Sequence, residues 1–266
     1  MKLEILICTI DEGIRRVAEM LMPRRDDVSY LVSWQVWKTR DAEVPTSLQR
    51  DDVRVLQIEG RGLSRNRNHA IDNAQGDVCL IADDDLEYYA DNLSKVVECF
   101  ERNRQLDFAT FRYDSEADKK IYSAEEFDLS RFPKGYYVTS FELAFRRASV
   151  QGKLRFDEHF GLGAELLMAG EESVFVHDAL AMGLRGRFFP ITIASHHHPT
   201  TGIGRASDRG VIMANAAYLQ VAYRHNYKWL RALLMAWRSH CKGEVPFITA
   251  LRWVREGIAY AKSIGR

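Results

Sequence analysis

The chain has 266 residues, 46% of them hydrophobic, which is enough to bury a substantial core as one large α/β domain or one domain with an appended helical tail. Its 37 Lys and Arg balance 37 Asp and Glu, so a net charge of zero points to no nucleic acid or other polyion as partner. No basic, apolar, small-residue leader opens it, and no apolar run approaches the ~18 residues of a membrane span; the chain reads as cytoplasmic, at most touching a membrane surface. Cys8, Cys79, Cys99 and Cys241 are scattered without a CxxC pair, which argues against zinc or redox chemistry and for a reducing compartment.

The apolar run Leu3 to Thr9 predicts a first strand that stops at the polar Asp11-Glu12. Residues 13–22 have helical spacing at Ile14, Val17, Ala18 and Leu21, closed by Pro23. Two more strands are expected over 30–37 and 53–58, then a helix over 63–74 with Ser64 as its N-cap. A fourth strand, 77–82, runs directly into Asp83-Asp84-Asp85. Strands alternating with helices predict a mostly parallel sheet covered on both faces, with ligands beyond the carboxyl ends of its strands. The polar clusters after Thr9, Val32 and Ala82 therefore share one rim.

Farther along, residues 136–147 read as a strand pair or one long bent strand. Residues 169–183 read as a helix with Val174, Phe175, Leu180 and Met182 on its apolar side, and 186–199 as a strand ending in His196, His197 and His198. From Gly204 the pattern is helical and carries Trp229, Trp237 and Trp253. Between Arg205 and Arg266 stand 11 Lys or Arg and only Asp208, Glu244 and Glu256, a local charge of +8. Such a basic, aromatic tail suits either an anionic bilayer or a helical cap whose aromatics pack on the core while its bases face water.

Chemistry concentrates at Asp83-Asp84-Asp85. Three adjacent acids repel one another, and a bound cation relieves that repulsion; carboxylate oxygens suit Mg²⁺ or Mn²⁺ and leave room for phosphate oxygens. The alternative is a solvated turn capping the next helix. The residues before the run are more specific. Gly62, Ser64, Arg67-Asn68, Ala70-Ile71, Ala74-x-Gly76-Asp77 and the acidic run follow in an order and spacing that strongly resembles glycosyltransferase family 2. That resemblance implies an α/β fold of the A type (GT-A), a Rossmann-like, mostly parallel central sheet flanked by helices, here with a C-terminal helical extension. It assigns 1–203 to the transferase domain, 1–110 to nucleotide-sugar binding and 111–203 to the acceptor and catalytic half, leaving 204–266 as the basic helical tail.

The resemblance also implies roles. Asp85 is the direct metal ligand; Asp83 and Asp84 contact the ribose or support the metal; Arg67 orients an aspartate or approaches the diphosphate. The Gly170-Glu171-Glu172 segment with Phe175 resembles the family's acceptor-side motif, with Glu172 as the favoured base and Glu171 as its rival, because many members have Asp where Glu172 stands. A carboxylate there removes the acceptor's proton, whereas at a plain helix start acids are favoured by the dipole. In Ser195 to Gly202, His196 occupies the position of the family's metal-shell histidine, with His198 next and His197 between. Thr9, Asp11 and Glu12 match the opening nucleotide contacts. Where most relatives carry two acids, this chain has Ser33-Trp34-Gln35, so that Trp34 stacks on a base with Gln35 at its edge, or else is core.

The expected reaction moves a sugar from a nucleoside diphosphate, a UDP-sugar before others, to an acceptor hydroxyl of a glycan or lipid-linked chain, with inversion and with Mn²⁺ or Mg²⁺ as cofactor. Surface polysaccharide or lipid-linked oligosaccharide assembly in bacteria is the implied setting. No GxxxxGK[ST] loop is present. A haloacid-type phosphatase would want a hydroxyl residue where Glu87 stands, and a non-catalytic glycan-binding scaffold would not need Asp85, Glu172 and His196 together.

Overall fold

The structure, a computed structural model, describes residues 1–39, 43–117, 120–197, 205–223 and 228–266. The chain divides into two compact units. One comprises Met1–Arg61, Arg65–Arg155 and Asp178–His198; the other comprises Gly62–Ser64, Phe156–His177 and Pro199–Arg266.

The first unit is built on strands β1 (Leu3–Ile10), β2 (Val28–Val36), β3 (Val53–Glu59), β4 (Val78–Asp83), β5 (Leu86–Tyr88), β6 (Phe108–Asp114), β7 (Phe127–Asp128), β8 (Leu143–Arg146) and β9 (Gly186–His196). Their order is β3-β2-β1-β4-β8-β6-β9-β5, with β7 paired to β9. The first four strands are parallel, as the alternating pattern requires. Beyond β4 the sheet is mixed: β8 runs antiparallel to β4 and β6, and β9 runs parallel to β6 but antiparallel to β5 and β7. β1 and β4 are buried along almost their whole length, which their mostly apolar runs allow, the charged Glu4 of β1 being paired inside.

Helices of this unit are α1 (Val17–Met20), α2 (Leu63–Asn73, which starts in the other unit), α3 (Ala90–Arg102) and α4 (Arg147–Val150); α5 (Glu171–Ala181) spans the division. The glycine of Ala74-x-Gly76-Asp77 has a packing reason. A Cβ on Gly76 would lie 2.6 Å from Glu4 Cβ and 2.9 Å from its backbone nitrogen. The gap lets buried Glu4 accept hydrogen bonds from the amides of Gln75 (2.5 Å) and Gly76 (2.8 Å) while Arg54 neutralises it at 2.9 Å.

Two expected elements differ. Residues 13–22 form not one helix but a 3₁₀ turn, Asp11–Arg15, and the single turn α1. Asp11 is the cause: it sits at φ +48° and its carboxylate accepts the amides of Trp37, Lys38 and Thr39, so the chain leaves β1 tied to the end of β2. Residues 136–147 hold only the four-residue β8, preceded by a 3₁₀ turn, Ser140–Glu142, closed by a Thr139–Glu142 capping box. α3 and β6 were not foreseen from the sequence.

In the second unit lie α6 (Arg209–Ala222), α7 (Lys228–Cys241) and α8 (Phe247–Ser263). Phe160, Leu167 and Val174 pack with Met213, Ala214, Ala217 and Ala261, so 156–177 groups with the C-terminal helices and the chain does not divide by a single cut at 203/204. No helix among the described residues is long and apolar enough to cross a membrane.

Candidate active site

The order β3-β2-β1-β4 places a topological switch point between β1 and β4, where the chain, having built outward on one side of β1, returns to its other side. In such sheets the loops at the carboxyl ends diverge there and leave a crevice. The register Cys8↔Asp83 brings the last residues of β1 beside the acidic run. Asn66 of α2 fastens the end of β1 by donating to the Thr9 carbonyl at 2.9 Å.

The three aspartates have three different surroundings. Asp84 is buried; one oxygen accepts the Thr9 hydroxyl and the other takes Arg16 at 2.6 Å. Asp83 is partly exposed and receives Arg67 at 3.0 Å; the same guanidinium nitrogen also donates to Ser140 Oγ at 2.7 Å. Burial holds the Asp83 carboxyl above its ordinary value; Arg67 pulls it down, while the charges of Asp85 and Asp84 add to the rise. Asp85, first after the pair, approaches His196, with Oδ2 and Nε2 3.4 Å apart. That meeting follows from topology, since antiparallel β5 and β9 put Leu86 opposite His196. The imidazole is steered by aromatic neighbours: Phe141 lies 5.0 Å away and Tyr113 meets it edge-on at 6.4 Å.

The remaining residues fall as follows. Trp34 is fully buried, donating its indole NH to the Asp11 carbonyl at 2.9 Å, and has no open face for a base. The exposed indole on this rim is its neighbour Trp37, 45% exposed, with Arg61 over its ring at 5.4 Å. Gln35 is buried. Asp11 is engaged with the three amides, which hold its carboxyl below the usual value despite the opposing effect of burial. Glu12 is exposed and pairs with Arg15 at 2.8 Å. His197 is exposed, 3.7 Å from Glu87, and His198 lies outside the described residues.

Ser64, Glu171 and Glu172 belong to the second unit. Ser64 lies inside the first turn of α2 and is not its N-cap; its hydroxyl donates to the Phe160 carbonyl at 2.6 Å. Gly170, at φ +81°, turns the chain into α5, so both glutamates occupy the positive end of that helix. Glu171 is buried against Gly161, whose added Cβ would lie 3.1 Å from the Glu171 carboxyl carbon. Glu172 is half-buried, and its charge contributes, after burial and Tyr223, to raising the Tyr218 hydroxyl to about 12.

Sequence reasoning missed Arg16, Ser140, Phe141 and Tyr113. Each lies far along the chain from the side chain it positions, so no local pattern marks it.

A carboxylate oxygen and an imidazole nitrogen converging at a strand end are the donor types a divalent Mn²⁺ or Mg²⁺ accepts in a site shared with substrate phosphates. Among the described residues no group of three or more His, Cys, Asp or Glu side chains that could hold a metal ion forms.

Comparison with known proteins bears on the fold. In structure the chain is similar to S. aureus TarS in complex with UDP-GlcNAc, with TM-score 0.57 and 16% identity over 89% of this chain and 71% of that one. It is also similar to the mannosyltransferase PcManGT from Pyrobaculum calidifontis in complex with GDP-Man and Mn²⁺, with TM-score 0.58 and 15% identity over all of this chain and 76% of that one. At such identity the likeness establishes the fold, a GT-A α/β fold. No curated protein matches the chain. The family Glycosyl transferase family 2 matches residues 39–160, a segment that holds Arg67 and all three aspartates; Glu171, Glu172 and His196 lie beyond it. The chain thus carries a glycosyl transferase family 2 segment on a GT-A fold, and it is a glycosyltransferase.

Proposed function

We propose that the chain is an inverting, metal-dependent transferase that moves a sugar from a nucleoside diphosphate, a UDP-sugar in the first instance, to an acceptor hydroxyl. The observation that carries this reading is the convergence of Asp85 and His196 beside the Arg67–Asp83 pair at the switch point of the sheet. Asp85 and His196 would hold Mn²⁺ or Mg²⁺, and a bound cation there supplies electrostatic stabilisation of the charge that grows on the departing diphosphate.

The chain's own residues do the rest. Arg67 fixes Asp83, leaving its second oxygen for a ribose hydroxyl, and Thr9 with Arg16 holds Asp84 as the buttress of the loop. Trp37, not the buried Trp34, stacks on the base, since it is the indole left exposed after β2. Glu172 serves as the base that takes the acceptor's proton, because Glu171 is the more buried of the two. One base and direct displacement give inversion, so an α-linked donor yields a β-glycoside. The acceptor is a glycan or lipid-linked saccharide in polysaccharide assembly.

The test is a thermal-shift panel of nucleotide sugars with and without Mn²⁺. One UDP- or GDP-sugar is expected to raise the melting temperature only with the metal, and Asp85→Ala to abolish that rise. Glu172→Gln should keep the shift and lose turnover by about 10²-fold or more. Full turnover in Glu172→Gln transfers the base to Glu171 or elsewhere. A shift without turnover for any acceptor makes the protein a binding scaffold, and release of phosphate from simple esters makes it a phosphatase.

A further inference from the structure

Helix α7 is built inside out. Its inward positions, packed among the residues of α6 and α8, are the small Ala232 and Ala236, with Ser239 beside them. Met235 packs with them, but the helix's other large apolar side chains point outward: Trp229, Leu230, Leu233, Leu234 and Trp237 are each 45–56% exposed. The spacing 229, 233, 237 with 230 and 234 alongside puts all five on one face, which adjoins the alanine seam and turns outward from it. A helix that served only to cap this unit would bury its leucines and tryptophans and expose its alanines, because burying large apolar surface is what stabilises such packing.

The apolar face continues past the helix end. Trp237 meets Phe247 edge-on at 6.0 Å, and the next residue, Ile248, is 74% exposed on α8. Ile248 and Leu251 line a groove with Arg252, Arg255 and Glu256. Arg231 and Arg238, seven residues apart on one flank of α7, are both exposed. Residues 205–266 carry +8 in a chain whose net charge is zero, so the positive charge is gathered on the segment that bears the apolar face.

We propose that the outward face of α7 docks on an anionic lipid surface, with Trp229, Leu230, Leu233, Leu234 and Trp237 entering the headgroup and acyl boundary and Arg231 and Arg238 meeting lipid phosphates. Tryptophan at both ends of an apolar stripe with arginine at its border is the composition of a helix lying in a membrane interface. Charge decides between this occupant and a second copy of the chain: a copy sets one net-positive segment, with Arg231 and Arg238 beside the apolar face, against another, whereas an anionic bilayer neutralises it. This docking does not depend on the identity of the sugar donor. It would hold the enzyme where lipid-linked acceptors are found.

The test uses the full chain and co-sedimentation with vesicles of phosphatidylcholine alone or with about 30% phosphatidylglycerol. The protein is expected to sediment with the anionic vesicles about tenfold more than with the neutral ones and to be released by high salt. Leu233→Glu/Trp237→Glu and Arg231→Glu/Arg238→Glu, both at exposed positions, should each lose about tenfold of that binding, with circular dichroism unchanged. Absence of sedimentation with anionic vesicles overturns the proposal, and so does binding that survives Leu233→Glu/Trp237→Glu. Self-association by analytical ultracentrifugation that this variant abolishes, without vesicle binding, overturns it in favour of a second copy. Retained metal-dependent donor shifts in the variants separate this outcome from any failure of the transferase reading.

Discussion

Lys120→Met tests the charge buried behind the site. Lys120 and Glu142 are a buried ion pair, 2% and 0% exposed, with Nζ 2.5 Å from Oε2. The ammonium lies against four tyrosine rings, nearest Tyr137 at 4.3 Å, and the Tyr122 hydroxyl donates to the other carboxylate oxygen. Methionine keeps most of the volume but leaves a buried carboxylate without its cation, a loss of about 3–5 kcal/mol. The Thr139 amide and Tyr122 hydroxyl still solvate Glu142, which places the expected cost near the lower figure, about 3 kcal/mol. For a chain of this size that is roughly 6–12 °C in melting temperature. Lys120→Met/Glu142→Leu should recover most of it, since a well-packed apolar pair is often as stable as a buried ion pair.

The deficit should also depend on pH. Burial pushes the Glu142 carboxyl above its ordinary value, with Lys120 and Tyr122 pulling the other way. A carboxyl raised in the folded state favours folding while protonated, and that contribution is lost as pH rises through its folded value. Removing Lys120 raises it further, so the gap between variant and parent should be smallest in acid and widen towards neutrality. Differential scanning calorimetry across that range is the assay. A shift under about 2 °C at neutral pH, or a gap that narrows as pH rises, refutes the reasoning.

Two further outcomes are expected. Gly257→Ala places a Cβ 2.3 Å from the Met213 carbonyl oxygen where α6 crosses α8, and urea unfolding should show a loss of about 1–3 kcal/mol; an unchanged midpoint means that crossing has slack. Of the four thiols only Cys241 is exposed, while burial raises Cys8 to about 12 and Cys99 to about 11 and pushes Cys79 higher still. The native chain should therefore release one equivalent from a chromogenic disulfide reagent, and the denatured chain four; fast reaction of two in the native state contradicts the burial.

Much of the first unit was legible because its signals are local. β1, β2, β3 and β4 announce themselves as short apolar runs ended by polar residues, and a parallel arrangement follows from the helix between β3 and β4. Gly76 stands in its motif because only a hydrogen fits against Glu4, a demand that leaves a trace at one position. The mixed half was less legible. β8 takes its place between β4 and β6 only because the ladder there is antiparallel and short, and four residues carry no periodicity to recognise.

At the site, the sequence determined which residue types were available and, through the family resemblance, made Asp83 to Asp85, Arg67 and His196 the expected site residues. Tertiary structure decided what each one touches. It closed Thr9 and Arg16 around Asp84 across 75 and 68 positions, and it turned Arg67 inward to Asp83 and Ser140. It also buried Trp34 and exposed Trp37. The physical reason is common to all of these: a residue's type limits what it can bond, but partners and exposure depend on which distant strand or helix the fold lays beside it. The outward face of α7 makes the same point, since the sequence supplied an amphipathic helix and only packing showed that its small side chains face in.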